Sequence, residues 1–186
     1  MTVKTLRSTY RIKITLAEIR PPIWRRVLIN SATKLSDLHE ILQIAMGWTD
    51  SHLHLFEKDG KRYGVPDEEF PDDTLNEENF RINQLLKKEK DAFNYEYDFG
   101  DGWMHKVILE KVLPFDTKAT LPHCMTGKRN CPPEDVGGTF GYANFLEAMS
   151  DKNHPEHEDM MDWIGGEFDP EEFDVDVVNQ ILYDQF

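Results

Sequence analysis

The sequence predicts an α+β domain in which a largely antiparallel β-sheet is packed by helices, with a helical C-terminal part. Apolar and polar residues alternate in several short segments before residue 114, and turn residues separate these segments. After residue 139 apolar residues recur at helical spacing instead. The 186 residues contain no internal repeat or linker, so we expect one domain over residues 1–186.

The first 50 residues predict two strands and one helix. Residues 10–16 alternate, so one face is apolar and the other is basic. Pro21 and Pro22 end this strand, and residues 23–29 are rich in β-forming side chains and are expected to pair back. Apolar residues at helical spacing between positions 35 and 45 predict a helix that ends at Gly47.

The middle of the chain predicts four more strands. Residues 52–56 form a strand, and Asp59-Gly60 is a hairpin turn that leads into residues 61–63. The acidic stretch 67–78 predicts a solvated loop. Two strands at 93–99 and 103–113 follow, joined by a tight turn.

Residues 114–139 contain four Pro and three Gly and predict a long loop, which is often functional when ordered. Three helices are expected beyond it. The first has an apolar stripe that ends at Met149, and the second begins at His154-Pro155. Residues 169–172 predict a capping box that opens the last helix, whose expected stripe is Phe173, Val177, Ile181 and Leu182.

The net charge of −14 is distributed unevenly along the chain. Residues 1–50 are net +4, whereas residues 151–186 carry 12 acidic side chains and one basic one. This charge argues against non-specific binding to nucleic acid. The acidic C-terminal part predicts a solvated helix face or, alternatively, a surface for a basic protein partner.

No window approaches the roughly 20 apolar residues of a membrane span. The N-terminus also lacks the apolar block of a signal peptide. The two cysteines suit a reducing compartment, so a cytoplasmic protein is expected, without a membrane association.

Several residue pairs are candidate sites for a divalent metal. Asp98 and Asp101 bracket a glycine turn, where they either cap their own backbone or bind a hard cation. His52 and His54 are two apart on a predicted strand, so they are expected to share a face as half of a metal site or simply to face solvent. His39 and His105 are candidates to complete that site.

Cys124 and Cys131 lie in the predicted long loop. Six intervening residues are a loose spacing for zinc, and buried thiols or a reversible disulfide are alternatives. Glu134 and Asp135 follow two prolines, which fix the backbone either for a site or for a turn.

A basic strand face formed by Arg11, Lys13 and Arg25 is suited to phosphate or carboxylate, although pairing with the acidic side chains of the chain itself is the simpler interpretation. The sequence contains no phosphate-binding loop, dinucleotide fingerprint, zinc-protease motif or nucleophile elbow.

Four segments together resemble the plasmid pRiA4b ORF-3-like family of mostly uncharacterised microbial proteins. They are residues 22–26, residues 38–56, the turn around residues 97–103, and residues 131–138 with Gly141-Tyr142. The resemblance spans roughly residues 10–182 and implies a single α+β domain with no established activity. Some family members are labelled resolvase-like passenger proteins of insertion elements, which implies an association with mobile or plasmid-type genes.

Three functions are consistent with these residues. The first is a binding or interaction module. The second is a metal-dependent, hydrolase-like enzyme, and the third is a DNA-associated accessory protein that uses the arginines and lysine of the first two strands, including Arg26. The candidate pocket consists of Arg25, His52, His54, Asp98, Asp101, Trp103, Glu134 and Asp135. The residues that we predict as possible metal ligands are His52, His54, Cys124 and Cys131.

Overall fold

The computed structural model describes residues 7–67, 69 and 72–186. Its strands are β1 (Ser8–Leu16), β2 (Trp24–Asn30), β3 (His54–Lys58), β4 (Lys61–Gly64), β5 (Leu75–Asn76), β6 (Ala92–Tyr97), β7 (Trp103–Pro114) and β8 (His123–Lys128). Its helices are α1 (Leu35–Met46), α2 (Ile82–Leu85), α3 (Gly138–Ser150), α4 (His157–Ile164) and α5 (Val175–Gln185). No helix in these ranges is both long and apolar enough to cross a bilayer.

The eight strands form one sheet in the order β5-β4-β3-β6-β7-β1-β2-β8. Every neighbouring pair is antiparallel except β4 and β5. The predicted α+β fold class, with a largely antiparallel sheet and a helical C-terminal part, is therefore confirmed.

The core lies against the centre of this sheet. Ile12, Ile14 and Leu16 on β1 are buried, as their alternation predicts. All five apolar residues of the α1 stripe are buried, and Gly47 ends the helix in the left-handed conformation at φ 109°. Burial of each such large side chain stabilises the fold by roughly 1.5–3 kcal/mol.

The long loop predicted at residues 114–139 contains strand β8, so this prediction was wrong at its centre. The strand pairs only with β2 and lies at the edge of the sheet. Cys124 is its one fully buried side chain, so its sequence lacks the alternation that marks a central strand.

The prediction of a solvated loop over residues 67–78 was also wrong for the end of this stretch. This stretch includes β5 and the beginning of a 3-10 turn, Glu77–Asn79, and the Glu77 side chain is buried. A buried hydrogen bond to His54 Nε2, at 2.8 Å, explains why an acidic residue lies inside the fold.

Two helices begin later than their predicted caps. Helix α4 begins at His157. Helix α5 begins at Val175, because Asp174 accepts hydrogen bonds from the first-turn N–H groups of Asp176 and Val177. Asp169 instead accepts from Glu171 N–H in a tight turn. The buried face of α5 consists of Val178, Asn179 and Leu182, and the predicted stripe residues Val177 and Ile181 are exposed.

Arg25 is buried in the core with 1% of its surface exposed. Its Nε donates to the Ala45 carbonyl oxygen at 2.7 Å, and its Nη1 donates to the Lys128 carbonyl oxygen at 2.9 Å. The guanidinium also lies 4.0 Å above the Phe173 ring. The Arg25 side chain thus joins the C-terminus of α1, strand β8 and the segment before α5. The negative end of the α1 dipole stabilises the positive charge of Arg25.

The predicted basic face formed by Arg11, Lys13 and Arg25 was wrong, because Arg25 points to the opposite face of β2. Arg11 and Arg26 both form ion pairs with Glu110, at 3.1 and 2.7 Å. Lys13 lies 5.0 Å from the Trp24 ring centroid. Arg11, Lys13 and Arg26 are therefore held by contacts within the chain, and Glu110 is shared by the two arginines.

We expect Arg25→Met to lower the free energy of unfolding by about 3 kcal/mol or more, because buried carbonyl oxygens lose their donors. The matched variant Arg26→Met removes a partly exposed ion pair and is expected to cost about 1 kcal/mol or less. Urea unfolding of both variants measures the difference. Equal losses would contradict the role assigned to Arg25.

His105 makes the stability dependent on pH. Its side chain is fully buried, and Nδ1 lies 3.2 Å from the Tyr95 carbonyl oxygen. Burial lowers the pKa of His105 to about 4, so the folded protein holds a neutral ring. The unfolded chain takes up this proton below about pH 6.5, so stability is present above that pH and is lost as the pH falls toward 4.

The variant His105→Phe cannot take up this proton. We therefore expect the free energy of unfolding of the wild type, relative to that of the variant, to fall by up to about 3 kcal/mol between pH 6.5 and 4. Urea midpoints at half-unit pH steps measure this difference. Parallel pH curves for the two proteins would show that His105 does not contribute the proton uptake.

Candidate functional site

Four side chains from three connections meet at one end of the sheet. His52 lies between α1 and β3, Asp98 follows β6, and Glu134 and Asp135 lie between β8 and α3. His52 Nε2 is 3.1 Å from Asp135 Oδ1, 3.7 Å from Asp98 Oδ2 and 3.8 Å from Glu134 Oε2. These four residues are called the His52 cluster below.

Asp98 is held by its own turn. Its Oδ1 accepts a hydrogen bond from Gly100 N–H at 2.9 Å, and its backbone has a positive φ of 57°. This is the structural role predicted for an aspartate beside a glycine turn. Because Oδ1 is engaged in that way, the other oxygen, Oδ2, is the one that lies nearest His52.

Glu134 is held from two other elements. Its Oε1 accepts hydrogen bonds from Thr49 N–H at 2.9 Å and from the Tyr97 hydroxyl at 3.1 Å. Ser51 N–H donates to the Tyr97 oxygen at 3.0 Å, which orients the hydroxyl proton toward the carboxylate. Burial, assisted by the charge of Glu134, raises the pKa of Tyr97, so it remains a donor.

The Nε2 atom of His52 is buried, and it makes no hydrogen bond of acceptable geometry to the described residues. Three carboxylates nevertheless lie within 4 Å of it. Asp135 is 70% exposed, so the cluster opens to solvent on that side. An orphaned ring nitrogen among negative oxygens is suited to a bound cation.

Asp101 does not enter the cluster. Its Oδ2 accepts a hydrogen bond from Gly137 N–H at 3.0 Å, next to the first residue of α3. A Cβ on Gly138 would lie 2.5 Å from the Asp101 carbonyl oxygen, so this position requires glycine. Asp101 and the paired glycines therefore hold the loop of Glu134 and Asp135 against the β6–β7 turn.

Two tryptophans lie behind the cluster. Trp48 Nε1–H donates to the Pro132 carbonyl oxygen at 3.0 Å. The Trp103 ring is fully buried, with its centroid 6.0 Å from that of Trp48. These rings support the loop from the core side, and the Trp103 side chain is not exposed to solvent.

His54 lies in a different cluster from His52, so the prediction that they share a strand face was wrong. Strand β3 begins only at His54, and the alternation of a strand does not extend to His52. His54 Nε2 pairs with Glu77 at 2.8 Å, and its ring stacks on that of His39 at 3.5 Å between centroids.

The His39 side is a closed hydrogen-bond network. Asp50 N–H donates to the Gln43 side-chain oxygen, and the Gln43 amide then donates to the Tyr95 oxygen. The Tyr95 hydroxyl proton is thereby directed to His39 Nδ1, and His39 Nε2–H donates to Asp50 at 2.7 Å. Burial lowers the pKa of His39, and the neighbouring His54 adds to this effect, which agrees with a neutral ring.

The sequence did not identify Thr49, Ser51, Tyr97, Asp50 or Glu77 as site residues. Single polar residues in short connections have no periodicity, so no local signal distinguishes them from solvent-facing positions. His39 does carry a local signal, because it lies among the buried apolar residues of α1 and a buried imidazole needs polar partners nearby.

Cys124 and Cys131 are both free and buried. Burial raises the pKa of Cys124 to about 11 and that of Cys131 further, although the nearby charge of Arg25 opposes both shifts. Within the described residues the groups with metal-ligand geometry are His39 with Asp50 and His54, and His52 with Asp98 and Asp135, so neither cysteine belongs to one.

A cleft of about 370 Å³ begins at Asp135 and runs between α3 and α4. Its walls also include Val136, Phe145, Glu156, Met160 and Trp163. Asp135, the exposed member of the His52 cluster, therefore borders a cavity large enough for a small molecule.

Comparison with known proteins identifies the relatives of this chain. The plasmid pRiA4b ORF-3-like protein family matches residues 8–177. The uncharacterized protein y4hQ of Sinorhizobium fredii (strain NBRC 101917 / NGR234) is 41% identical over 162 residues, which are 85% of this chain and 81% of that protein.

The fold also matches a solved structure. It is the crystal structure of MM3350, a protein of unknown function from Methanosarcina mazei Go1, with a TM-score of 0.84 and 36% identity over 92% of this chain and 98% of that one. On the extent of the family match, the chain belongs to the plasmid pRiA4b ORF-3-like family.

Proposed function

We propose that the protein is a metal-binding module that holds a divalent cation in the His52 cluster. The observation that carries this proposal is the buried His52 Nε2, which lacks a hydrogen-bond partner in the described chain and faces three carboxylate oxygens. The His39 group is a weaker candidate, because its imidazole and carboxylate groups already bond one another.

The distances suit a shared cation. Two ligands that each lie about 2.1 Å from an ion are roughly 3.0–3.5 Å apart at octahedral or tetrahedral angles. The separation of 3.1 Å between His52 and Asp135 falls in this range, and Asp98 at 3.7 Å needs only a small movement. One imidazole with carboxylates favours Mn²⁺ or Zn²⁺ over Ca²⁺.

The surroundings of the ligands also support a metal. The ligands are His52, Asp98 and Asp135, and the turn backbone holds one oxygen of Asp98. Such a hydrogen bond orients the ligand before the metal binds and raises affinity. Thr49 and Tyr97 hold one oxygen of Glu134 beside these ligands.

A second candidate function is metal-dependent hydrolysis. The observation that favours it is that Asp135, the exposed member of the cluster, also lines the cleft beside α3 and α4. A divalent cation held there would lower the pKa of a water molecule. Glu134, fixed by Thr49 and Tyr97, would serve as the general base.

The other functions considered are less well supported. A DNA-associated role is less favoured, because Arg11 and Arg26 pair with Glu110 and Arg25 is buried in the core. The acidic C-terminal surface remains a predicted contact for a basic protein. Two free buried thiols suit the reducing cytoplasm, where we place the protein.

We expect the metal-free wild-type protein to bind one equivalent of Mn²⁺ or Zn²⁺ in isothermal titration. Asp135→Asn and His52→Gln should each weaken binding by at least 10-fold, because each removes a ligand. The matched variants Asp116→Asn and His123→Gln lie outside the cluster and should bind as the wild type does. Absence of saturable binding to the wild type would refute the proposal, as would unchanged affinity in both cluster variants.

Glu134→Gln separates binding from catalysis. If the metal centre is hydrolytic, this variant should keep Mn²⁺ affinity within about fivefold but lose at least 100-fold in hydrolysis of p-nitrophenyl acetate. The loss of the general base explains the difference. If the wild type binds metal but shows no metal-dependent ester hydrolysis, the hydrolytic function is contradicted and the metal-binding function stands.

A further inference from the structure

A second pocket, of about 230 Å³, lies between α3, the turn that joins β1 to β2, and the chain after β8. Thr139, Tyr142 and Leu146 line it from α3, at the spacing of a single helix face. Arg20 lines it from the turn, and Arg129 lines it from the segment after β8. None of these residues belongs to the His52 cluster.

The Tyr142 hydroxyl in this pocket is buried without a partner. The residue is 1% exposed, and its oxygen makes no hydrogen bond to any residue in the described ranges. Buried hydroxyls are normally bonded, so an orphaned one indicates a missing partner. Burial raises the pKa of Tyr142 to about 12, so the group is a proton donor at neutral pH.

Arg129 presents a fixed guanidinium beside that hydroxyl. Arg129 is 6% exposed, and its Nη1 donates to the Pro21 carbonyl oxygen at 3.1 Å. Its Nε lies 2.9 Å from Glu171 Oε1 and also donates to the Pro170 carbonyl oxygen. Three interactions through Nε and Nη1 hold the side chain rigidly. Because Glu171 offsets its charge, Arg129 contributes fixed N–H donors to the pocket.

Arg20 is an arginine without a carboxylate in a strongly acidic chain. Its Nη1 donates to the Ile19 carbonyl oxygen at 3.3 Å, and within the described ranges no carboxylate oxygen lies within 4 Å of it. Glu18 also lines the pocket and is exposed, so it limits the positive potential at the rim. The inner part of the pocket still holds the rigid Arg129 and the two hydroxyl groups.

We propose that this pocket binds a small oxyanion, a phosphate or carboxylate group, through Arg20, Arg129, Thr139 and Tyr142. Guanidinium groups match the paired oxygens of such anions, and hydroxyl groups complete the donor set. The apolar walls at Ile19 and Leu146 favour an anion that carries a short carbon chain.

The test uses the full chain after passage over chelating resin, so that metal in the His52 cluster does not contribute. Inorganic phosphate and acetate are titrated separately at constant ionic strength and pH 7, with affinity read by isothermal titration and by the urea midpoint. We expect saturable one-to-one binding of at least one of the two anions, and the tighter one identifies the ligand class.

Three variants distinguish specific anion binding in this pocket from non-specific attraction of anions to positive charge. Tyr142→Phe removes only the orphaned hydroxyl, so without anion it should be as stable as the wild type or more stable, yet bind at least fivefold more weakly. Arg20→Gln should weaken binding at least 10-fold. Lys118→Gln removes the same charge from a residue outside the pocket and should change nothing.

Two results would overturn the proposal. One is the absence of saturable binding of both anions to the wild type. The other is equal weakening by Lys118→Gln and Arg20→Gln, with no effect of Tyr142→Phe, since this would be non-specific attraction to charge. Neither result bears on the metal proposal, because metal is absent and no residue is shared.

Discussion

The buried guanidinium of Arg25 is the interaction on which the arrangement of this protein depends. It binds carbonyl oxygens at the end of α1 and in β8, and it fixes the direction in which the chain leaves the helix. Gly127 allows this packing, because a Cβ there would lie 2.7 Å from the Arg25 and Phe173 side chains. The segment that follows α1 carries Trp48 and His52, so the position of the candidate site depends on a cation that lies outside it.

The carboxylates of this acidic chain are used in two different ways. Glu77 and Asp50 accept hydrogen bonds from the stacked imidazoles of His54 and His39 and orient them, and that network is closed. The His52 cluster has the same chemical groups but leaves His52 Nε2 without a hydrogen bond in the described structure. Burial of polar groups is costly unless they are bonded, so only the second arrangement calls for a further ligand.

The basic residues show a similar division. The cationic side chains of the first two strands are held by Glu110, by the Trp24 ring and by backbone carbonyls around Arg25. Arg20 pairs with no carboxylate of the described residues, and it lines the pocket that also contains Arg129 and the unbonded Tyr142 hydroxyl. The two proposed sites are thus suited to ligands of opposite charge.

The sequence by itself determined the elements whose signals are local. Alternation predicted β1, the stripe and Gly47 predicted α1, and the glycine turn placed Asp98 between two strands. It also grouped His52, Asp98, Glu134 and Asp135 in one candidate pocket, together with Arg25, His54 and Asp101, which the structure places outside the His52 cluster. Only the tertiary structure separated His52 from His54, buried Arg25 and made β8 a strand, because each outcome depends on pairing between segments far apart in the chain. Long-range contacts of this kind leave no periodic trace in the residues that make them.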